Sequence, residues 1–413
     1  MKKSLILGLQ IIITLIASVL LGTVLLIIVY MLPTDEMKNN VRRSTAVYDS
    51  EGVYPQLMAG YKMSQLDNST DATMLLGAIY PGSGNYIEDA MKVHRIEYFE
   101  RDPVGCLTDY ANDVKKETYT IAYPRYWHGY LVILKPLLLF FDVADIRMFN
   151  MCLFFGAVLY ILEQMRKQKL ERYILWFVVT LVALNPLAIP LSFQFSTVTY
   201  IALFSSIIAL KCEHWDFKKQ MFFFMIIGIV TAYFDFLTFP LVGLYIPMIF
   251  ILVRKKDWKQ ATQTVIFGSI MWIIGYSGMW AGKWLIGSLL TGGNVIQDAV
   301  ARAGHWAGEE EISRLQIIMK NIFVLVKWPI VILGGIVLIK LAKVLSEGRK
   351  AGTVNWTWGI PFGIIMVAPF VWYLAMGGHS YVHYWFTYRE LCVTIMACLM
   401  GVQSIAGSDI FEC

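Results

Sequence analysis

Charged residues are scarce in this chain of 413 residues, because Asp, Glu, Lys and Arg together make up only 16% of it. Hydrophobic residues make up 57%, and the mean hydropathy of +0.57 is far above that of an ordinary soluble domain. The net charge of +5 does not indicate a nucleic-acid partner, since the excess Lys and Arg lie mostly in short loops where positive-inside bias explains them. The composition therefore predicts a membrane protein with several spans.

Motifs of nucleotide and hydrolase chemistry are missing. The chain has no Walker loop, no Rossmann glycine pattern, no Gly-x-Ser-x-Gly elbow and no His-Glu-x-x-His pair. Of the six cysteines, three lie inside apolar runs, two fall on the predicted inner side, and only Cys106 lies outside. These absences indicate neither a disulfide framework nor a zinc site, and nothing predicts nucleotide use in the cytoplasm.

Apolar runs of spanning length predict an all-α polytopic membrane protein with about ten transmembrane helices. The first run is too long for a signal peptide, which is the competing interpretation, and no cleavage site of small residues follows it. The segment 220–253 has a second interpretation as one hairpin that dips around Asp235. The predicted spans are residues 5–31, 145–163, 173–190, 198–211, 220–235, 237–253, 262–289, 314–343, 357–376 and 389–407.

These spans divide the chain into three parts. Residues 1–31 hold the first transmembrane helix, residues 32–144 form a large extracytoplasmic loop with juxtamembrane helices, and residues 145–413 form a bundle of spans 2–10. Within the loop, helices are expected near 35–48 and 107–118. The loop is too short for an independent catalytic domain with a large core.

Basic loops alternate with loops that hold no Lys or Arg. Positive-inside bias then predicts a multi-pass protein of the plasma membrane with both termini in the cytoplasm and the large loop outside. The basic loops are residues 164–172, 211–219, 254–259 and 340–350, and the loops without Lys or Arg are residues 186–197, 235–239 and 377–388.

Acidic residues of the large loop are candidates for a general base. Asp35 and Glu36 directly follow the first span, where they either begin a helix or accept a proton from an acceptor hydroxyl at the membrane surface. Asp67 and Asp71 stand four residues apart before an apolar run. They either cap a helix or share one face and bind a sugar or a divalent cation. Asn68 begins a glycosylation sequon, which is weak evidence by itself.

Aromatic and basic residues follow where the large loop returns to the membrane. Residues 125–141 predict a helix that lies in the interface. Arg125 and His128 are suited to a phosphate group, and Trp127 can stack on a sugar, although interface anchoring explains all three as well. Asp235 lies among aromatic residues at a membrane depth where a carboxylate faces a polar cavity or ends a turn.

Histidine and arginine gather in the last two loops predicted outside. His379 and His383 stand four apart, but no third metal ligand is evident, so a zinc site is not expected. His383 with Arg302, His305 and Arg389 predicts a cationic pocket for a lipid phosphate, and His379 is expected to contact the sugar or the acceptor. For Arg389, snorkelling at the end of a span is the alternative.

The layout resembles the GT-C-type membrane glycosyltransferases. The resemblance rests on a large loop directly after the first span with Asp35-Glu36 at its base, on the segment Tyr126-Trp127-His128-Gly129-Tyr130, and on the set from His379 to Arg389. It covers the architecture of most of the chain and no strict motif. It implies that a carboxylate of the first loop serves as general base or metal contact, which matches Asp35 and Glu36, with Asp67 and Asp71 as alternatives. The absence of a large C-terminal outer domain favours transfer of a monosaccharide.

The expected function is an inverting transfer of a sugar from a polyprenyl-phosphate donor to a cell-envelope glycan or glycolipid. Arg302, His305, His383 or Arg389 would hold the phosphate, and Asp35 or Asp71 would deprotonate the acceptor hydroxyl. Membrane lipids are the other expected partners, and a divalent cation is the only cofactor considered. Two alternatives stay open: a flippase or transporter of lipid-linked glycans, and a polymerase or ligase of surface polysaccharide.

Overall fold

The computed structural model describes residues 2–212, 214–307 and 312–407, without the side chains of 2–4 and 302–307. Helices hold 76% of the described residues, so the nearly all-helical character expected from the sequence is confirmed. Of the described helices, eight are long and apolar enough to cross a membrane, which indicates a multi-pass membrane protein. These are α1 (Lys2–Tyr30), α7 (Val143–Lys167), α9 (Phe193–Lys211), α10 (Phe217–Phe234), α12 (Trp258–Thr291), α15 (Trp328–Ala351), α16 (Gly359–Ala375, with the 3-10 turn Trp356–Trp358) and α19 (Leu391–Ile405, with the turns before it from Tyr384).

The remaining helices are shorter. Of the ten predicted spans, those at 173–190 and 237–253 correspond to the shorter helices α8 and α11, so the count of ten stays a prediction. The helix α8 stops at Leu184 because Asn185 adopts a left-handed conformation before Pro186. The shorter helices are α2 (Asp35–Glu51), α3 (Asn68–Ala78), α4 (Tyr86–Lys92), α5 (Pro103–Ala111), α6 (Leu131–Leu138), α8 (Glu171–Leu184), α11 (Leu241–Leu252), α13 (Val295–Ala307), α14 (Arg314–Leu325), α17 (Gly377–Val382) and α18 (Tyr384–Thr387).

The predicted span at 314–343 is wrong, because the structure divides it. Helix α14 ends at Leu325, and α15 begins at Trp328 with Pro329 in its first turn. Proline has no N–H to donate and disfavours helical geometry in the residue before it, so the apolar run breaks there. Residues 220–253 form the helices α10 and α11, joined by a loop at 235–240, and their interpretation as two spans or as one hairpin that dips at this loop stays a prediction.

The first loop, residues 31–142, folds into α2 to α6 and two short strands, β1 (Arg95–Tyr98) and β2 (Thr118–Ile121). The strands pair antiparallel with Arg95 opposite Ile121. The helix expected near 35–48 is confirmed by α2, whereas the helix expected near 107–118 gives way to the end of α5 and then β2. The interfacial helix expected at 125–141 is helical only over α6, because 125–130 is irregular.

Buried charged side chains hold many of the helix ends in place. A carboxylate complements the free N–H groups at a helix start, and a cation complements the free carbonyls at a helix end. All of these contacts link elements that lie apart in sequence, and those at Asp71 and Lys283 join the first loop to the bundle. They are Asp71 at the start of α9, Glu390 at Leu241 of α11, Lys135 at Ala78 of α3, Lys283 at Met91 of α4 and Arg389 at Leu184 of α8.

Helices α10 and α12 make the closest crossing of the bundle. A Cβ atom added to Gly275 would collide with the carbonyl oxygen of Met225, and one added to Gly228 would collide with that of Trp272. Backbones approach this closely only where small residues face each other, as is common between membrane helices. The crossing brings the end of α10, and the loop after it, beside the first loop.

Candidate functional site

A polar cavity of about 430 Å³ lies where the first loop meets the ends of several bundle helices. The residues around it come from α3, the strands β1 and β2 and the segment after β2, the start of α9, the loop after α10, and the region of α17 and α18. It thus joins parts of the chain that lie far apart in sequence. Its lining is Thr70, Thr73, Arg95, Ile121, Ala122, Tyr123, Arg125, Tyr126, Gln194, Phe236, His379, His383 and Phe386.

Two arginines give the cavity a positive wall. The Nε of Arg95 lies 2.6 Å from Glu97, and Nη1 of Arg125 lies 3.1 Å from Asp298. Both guanidinium groups also lie over the ring of Tyr123, at 5.5 and 4.5 Å from its centroid. The carboxylates of Glu97 and Asp298 hold the two guanidinium groups in place but do not line the cavity. The arginines therefore present to the cavity N–H groups that are suited to an anionic ligand.

Two imidazoles also line the cavity. His379 and His383 lie one helical turn apart with their ring centroids separated by 4.8 Å. The ring of His383 stacks on Phe386 at 5.1 Å with an interplanar angle of 20°. Sequence analysis expected these histidines to face a ligand pocket, and the structure places both in the lining. A neutral imidazole at this position can accept a proton, and a protonated one can donate a charged hydrogen bond.

Gln194 adds an amide at the start of α9. Its side chain is 4% exposed, and its Oε1 accepts no hydrogen bond from the described residues. A buried acceptor without a donor costs free energy that a hydroxyl-bearing ligand would recover. With Thr70 and Thr73 on the neighbouring face of α3, the cavity offers several neutral hydrogen-bonding groups beside its cations.

The carboxylates expected as catalytic bases do not line the cavity. Asp35 and Glu36 are exposed in the first turn of α2. Asp67 caps its own helix, because its carboxylate accepts from the backbone N–H and the hydroxyl of Thr70, each at 3.0 Å. Burial raises the pKa of Asp67 to about 6.

Asp71 instead caps α9. Its carboxylate oxygens accept from the backbone N–H of Phe193 at 3.0 Å, from that of Gln194 at 3.1 Å and from the hydroxyl of Ser192 at 3.2 Å. Burial raises the pKa of Asp71 to about 7, against the opposing effects of Arg147 and these N–H groups. Asp71 therefore positions Gln194 at the cavity wall without lining it.

The residues expected to bind a sugar or phosphate at 127, 128 and 235 are also internal. The indole N–H of Trp127 donates to the carbonyl of Met279 at 2.7 Å. The ring of His128 lies 2.8 Å from the carbonyl of Tyr123, and burial holds the pKa of His128 well below its usual value, so the imidazole is neutral. Asp235 ends α10, accepts from the N–H of Thr238 at 3.0 Å, and has its pKa raised to about 7 by burial.

Arg389 is fully buried away from the cavity. Its guanidinium donates to the carbonyls of Leu184 at 2.9 Å and of Met63 and Trp385 at 3.4 Å, and it lies 4.2 Å from the ring centroid of Phe195. This is neither the expected phosphate contact nor snorkelling, because the side chain points into protein. The side chains of Arg302 and His305, also expected at the phosphate, lie outside the described residues.

Asn68 of the sequon is fully buried. Its amide nitrogen donates to Glu51 at 2.9 Å and to the carbonyl of Gly52 at 2.8 Å, and its oxygen accepts from Arg147 at 3.1 Å. Both amide atoms are therefore occupied in the fold. Over the described part of the chain, no cluster of three or more His, Cys, Asp or Glu is arranged to hold a metal ion.

An apolar groove of about 460 Å³ adjoins the polar cavity. It follows α9 from Phe193 to Ile208, about 22 Å at the helical rise, between α7 and α10. Four segments of the chain line both spaces, each with one residue in the cavity and a nearby residue in the groove. These cavity and groove residues are Thr73 and Met74, Gln194 and Phe193, Phe236 and Phe234, and Tyr126 and Tyr130. The rings of Tyr130 in the groove and Phe236 in the cavity are in contact, with their centroids 5.0 Å apart.

Arg95 and Gln194 were missed from the sequence as site residues. In the sequence, Arg95 has the pattern of a charged residue on the solvated surface of a loop, and Gln194 is a polar residue inside an apolar run. Only the fold brings both beside His379, so no local pattern would have identified them.

No protein-family model, curated protein or solved structure matches the chain. What the site does must therefore be argued from its geometry and chemistry.

Proposed function

We propose that this chain is a membrane glycosyltransferase that transfers a monosaccharide from a polyprenyl-phosphate donor to a cell-envelope glycan or glycolipid. The observation that carries the proposal is that the apolar groove lies beside a polar cavity whose described lining holds two arginines, two histidines and no carboxylate. A polyprenyl-phosphate sugar has the same division into a long apolar chain, an anionic phosphate and a hydroxyl-rich head. The resemblance in layout to the GT-C type adds to this support.

In the proposed complex, the polyprenyl chain lies in the groove along α9 and α10, and the phosphate lies against Arg95 and Arg125. Arginine suits this role because its planar N–H groups make charge-assisted hydrogen bonds to phosphate oxygens. The sugar hydroxyls then face Gln194 and the threonines of α3.

In the reaction, the acceptor hydroxyl oxygen attacks the anomeric carbon of the sugar, and the bond from that carbon to the phosphate oxygen breaks. Polyprenyl phosphate leaves with the electron pair of the broken bond, and the arginines stabilise the charge that develops on its oxygen. We assign the acceptor proton to the imidazole of His379 or His383, because none of the described residues that line the cavity is a carboxylate. This replaces the expectation of Asp35 or Asp71 as the base, and Asp71 becomes a positioning residue.

The test uses the full-length protein in lipid nanodiscs with a panel of radiolabelled polyprenyl-phosphate sugars. Arg125→Gln is expected to weaken binding of polyprenyl phosphate on the order of tenfold, because one charged hydrogen-bonding partner is lost. His379→Gln and His383→Gln are expected to bind polyprenyl phosphate as the unchanged protein does. The one of these two variants that lacks the base is expected to transfer sugar about 10²–10⁴-fold more slowly. Arg101→Gln, a change in the same loop at a half-exposed arginine outside the lining, is the matched control.

Two outcomes would contradict the proposal. If both histidine variants transfer sugar at the rate of the unchanged protein, the assigned base is wrong. If the protein moves a lipid-linked sugar across vesicles without forming a new glycosidic bond, it is a transporter and not a transferase.

A further inference from the structure

A second apolar groove, of about 760 Å³, runs along α16 from Gly359 to Ala375, about 24 Å at the helical rise. Helices α11 and α12 form its other sides. It shares no described lining residue with the groove along α9, which the proposed function gives to the polyprenyl chain of the donor. The second groove therefore has no occupant in the proposed donor complex.

The lining of the second groove suits hydrocarbon. Its described residues include no charged side chain, and its two hydroxyl groups, those of Tyr245 and Ser269, lie at hydrogen-bonding distance from each other, 3.2 Å apart. Space is open beside α16 at Gly363, where an added Cβ atom would meet no heavy atom within 4 Å outside its own stretch of helix. Inside a membrane, association depends on close packing, and this groove offers packing surface from three helices to one hydrocarbon chain.

Helix α16 leads from the second groove to the histidines of the polar cavity. It ends at Ala375, and α17, which carries His379, begins two residues later. The N–H of Met376 donates to the carbonyl of Trp372 at 2.9 Å, and the N–H of Ser380 donates to the carbonyl of Met376 at 2.8 Å, so helical bonding continues across the junction. Trp372 lines the groove and His379 lines the cavity, seven residues or roughly 10 Å apart at the helical rise.

A row of aromatic rings on α12 makes a second connection between the two spaces. Trp272 lines the groove and stacks on Tyr276, with ring centroids 4.6 Å apart and an interplanar angle of 12°. Tyr276 lies 6.3 Å from Trp280, and Trp280 lies 5.0 Å from Tyr126, which lines the cavity. Trp280 follows Trp272 by about two helical turns, so the groove and the cavity are neighbours along α12 as well as along α16.

The proposed transfer needs a place for its second substrate. In an inverting reaction the attacking hydroxyl approaches the face of the sugar away from the leaving group, beside the general base. The base is assigned to His379 or His383, and the second groove leads to these residues. A molecule whose tail lies in this groove would therefore bring its head to the base, while the donor enters from the groove along α9.

We propose that the second groove binds the hydrocarbon tail of a glycolipid and that this glycolipid is the acceptor. The inference rests on the proposed function and decides between the two acceptor classes that it names. An ordinary bilayer lipid also fits the groove, but the connections to the cavity along α12 and α16 favour a substrate.

The test uses the full-length protein in lipid nanodiscs with the panel of radiolabelled polyprenyl-phosphate sugars. Two acceptor preparations come from the cells that produce the protein: the total lipid extract, and the water-soluble envelope glycans freed of lipid. Mild acid releases sugar from unreacted polyprenyl phosphate and leaves ordinary glycosidic bonds intact, so label that then stays with either preparation is product. The unchanged protein is expected to label the lipid extract.

Gly363→Phe is expected to lower transfer to the lipid extract about tenfold or more, because the added ring occupies the groove and the acceptor is no longer held beside the histidines. It is expected to bind polyprenyl phosphate as the unchanged protein does, since the groove along α9 is not altered. The matched control is Gly335→Phe on α15, where an added Cβ atom also meets open space but lies outside the groove. This control is expected to change transfer less than about twofold.

A second pair of variants repeats the comparison in case Gly363→Phe does not fold, which thermal unfolding detects. Val367→Trp lies in the groove and Val331→Trp lies on α15 outside it, and both valines are 55% exposed. Val367→Trp is expected to lose transfer to the lipid extract as Gly363→Phe does, and Val331→Trp is expected to keep it.

Equal transfer to the lipid extract by the groove variants and the unchanged protein would overturn the inference and leave the groove to bilayer lipid. Label in the water-soluble glycans alone would also overturn it, while the proposed transferase would stand. No transfer to either preparation from any donor would overturn the proposed function and the inference with it.

Discussion

The cap that Asp71 places on α9 gives a stability prediction with a definite sign. The carboxylate is fully buried, and burial raises its pKa from 3.8 to about 7 in the folded protein. In the unfolded chain the group titrates near its ordinary value. Between these two values the folded state holds a proton that the unfolded state has released. The free energy of unfolding therefore falls as the pH rises from about 4 to about 7, and it is level above that range.

The size of the effect follows from the shift. A displacement of about three pKa units corresponds to about 4 kcal/mol, since one unit is about 1.4 kcal/mol. Asp71→Asn removes the ionisation and keeps one oxygen that can accept from the N–H groups of α9. The stability of the unchanged protein relative to this variant is therefore expected to drop by about 4 kcal/mol between pH 4 and pH 8. Asp71→Ala also leaves the N–H groups of Phe193 and Gln194 without an acceptor, which costs about 2–5 kcal/mol.

The assay is a reversible unfolding titration in bicelles at several pH values for the unchanged protein and the Asn variant. Asp216→Asn is the control. Asp216 caps α10 by accepting from the backbone N–H of Lys219, but it is exposed, so the substitution removes no buried carboxylate. A stability difference between the unchanged protein and Asp71→Asn that stays constant from pH 4 to pH 8 would refute the reasoning.

Three further changes test other contacts. Gly275→Ala is expected to destabilise the fold by about 1–3 kcal/mol, since its Cβ would force α12 away from α10, whereas Gly8→Ala, with open space around it, is expected to have no such effect in thermal unfolding. Arg389→Lys keeps the charge but loses the fork that reaches Leu184 and Met63, so a loss of about 2 kcal/mol or more is expected, and an unchanged melting curve would argue against the clamp. Expression in a host that N-glycosylates secreted chains is expected to add no glycan at Asn68, because its amide is buried and bonded, and a mass shift lost on treatment with a glycosidase would show otherwise.

The apolar runs predicted much of the helical layout, and the failures have local causes. The first span, expected at 5–31, is α1, and the break at Pro329 divides a run that hydropathy alone joins. The pairing of β1 with β2 was not expected, because each strand is only four residues long, which is too short for its alternation of polar and apolar residues to stand out.

The candidate site was harder to predict because buried charges have two uses that look alike in a sequence. A carboxylate such as Asp71 suits both a general base and a helix start, and its partner helix begins more than a hundred residues later. Arg389 likewise suits both a phosphate and the carbonyls at the end of α8. The histidines were predicted more readily, since a helical turn between His379 and His383 is visible in their spacing.

The cavity is built from both halves of the chain, from Thr70 in the first loop to Phe386 beside the last helix. During synthesis the first loop is therefore complete long before the histidines leave the ribosome. A nascent chain therefore cannot complete the walls of this cavity until nearly its whole length has been made and inserted.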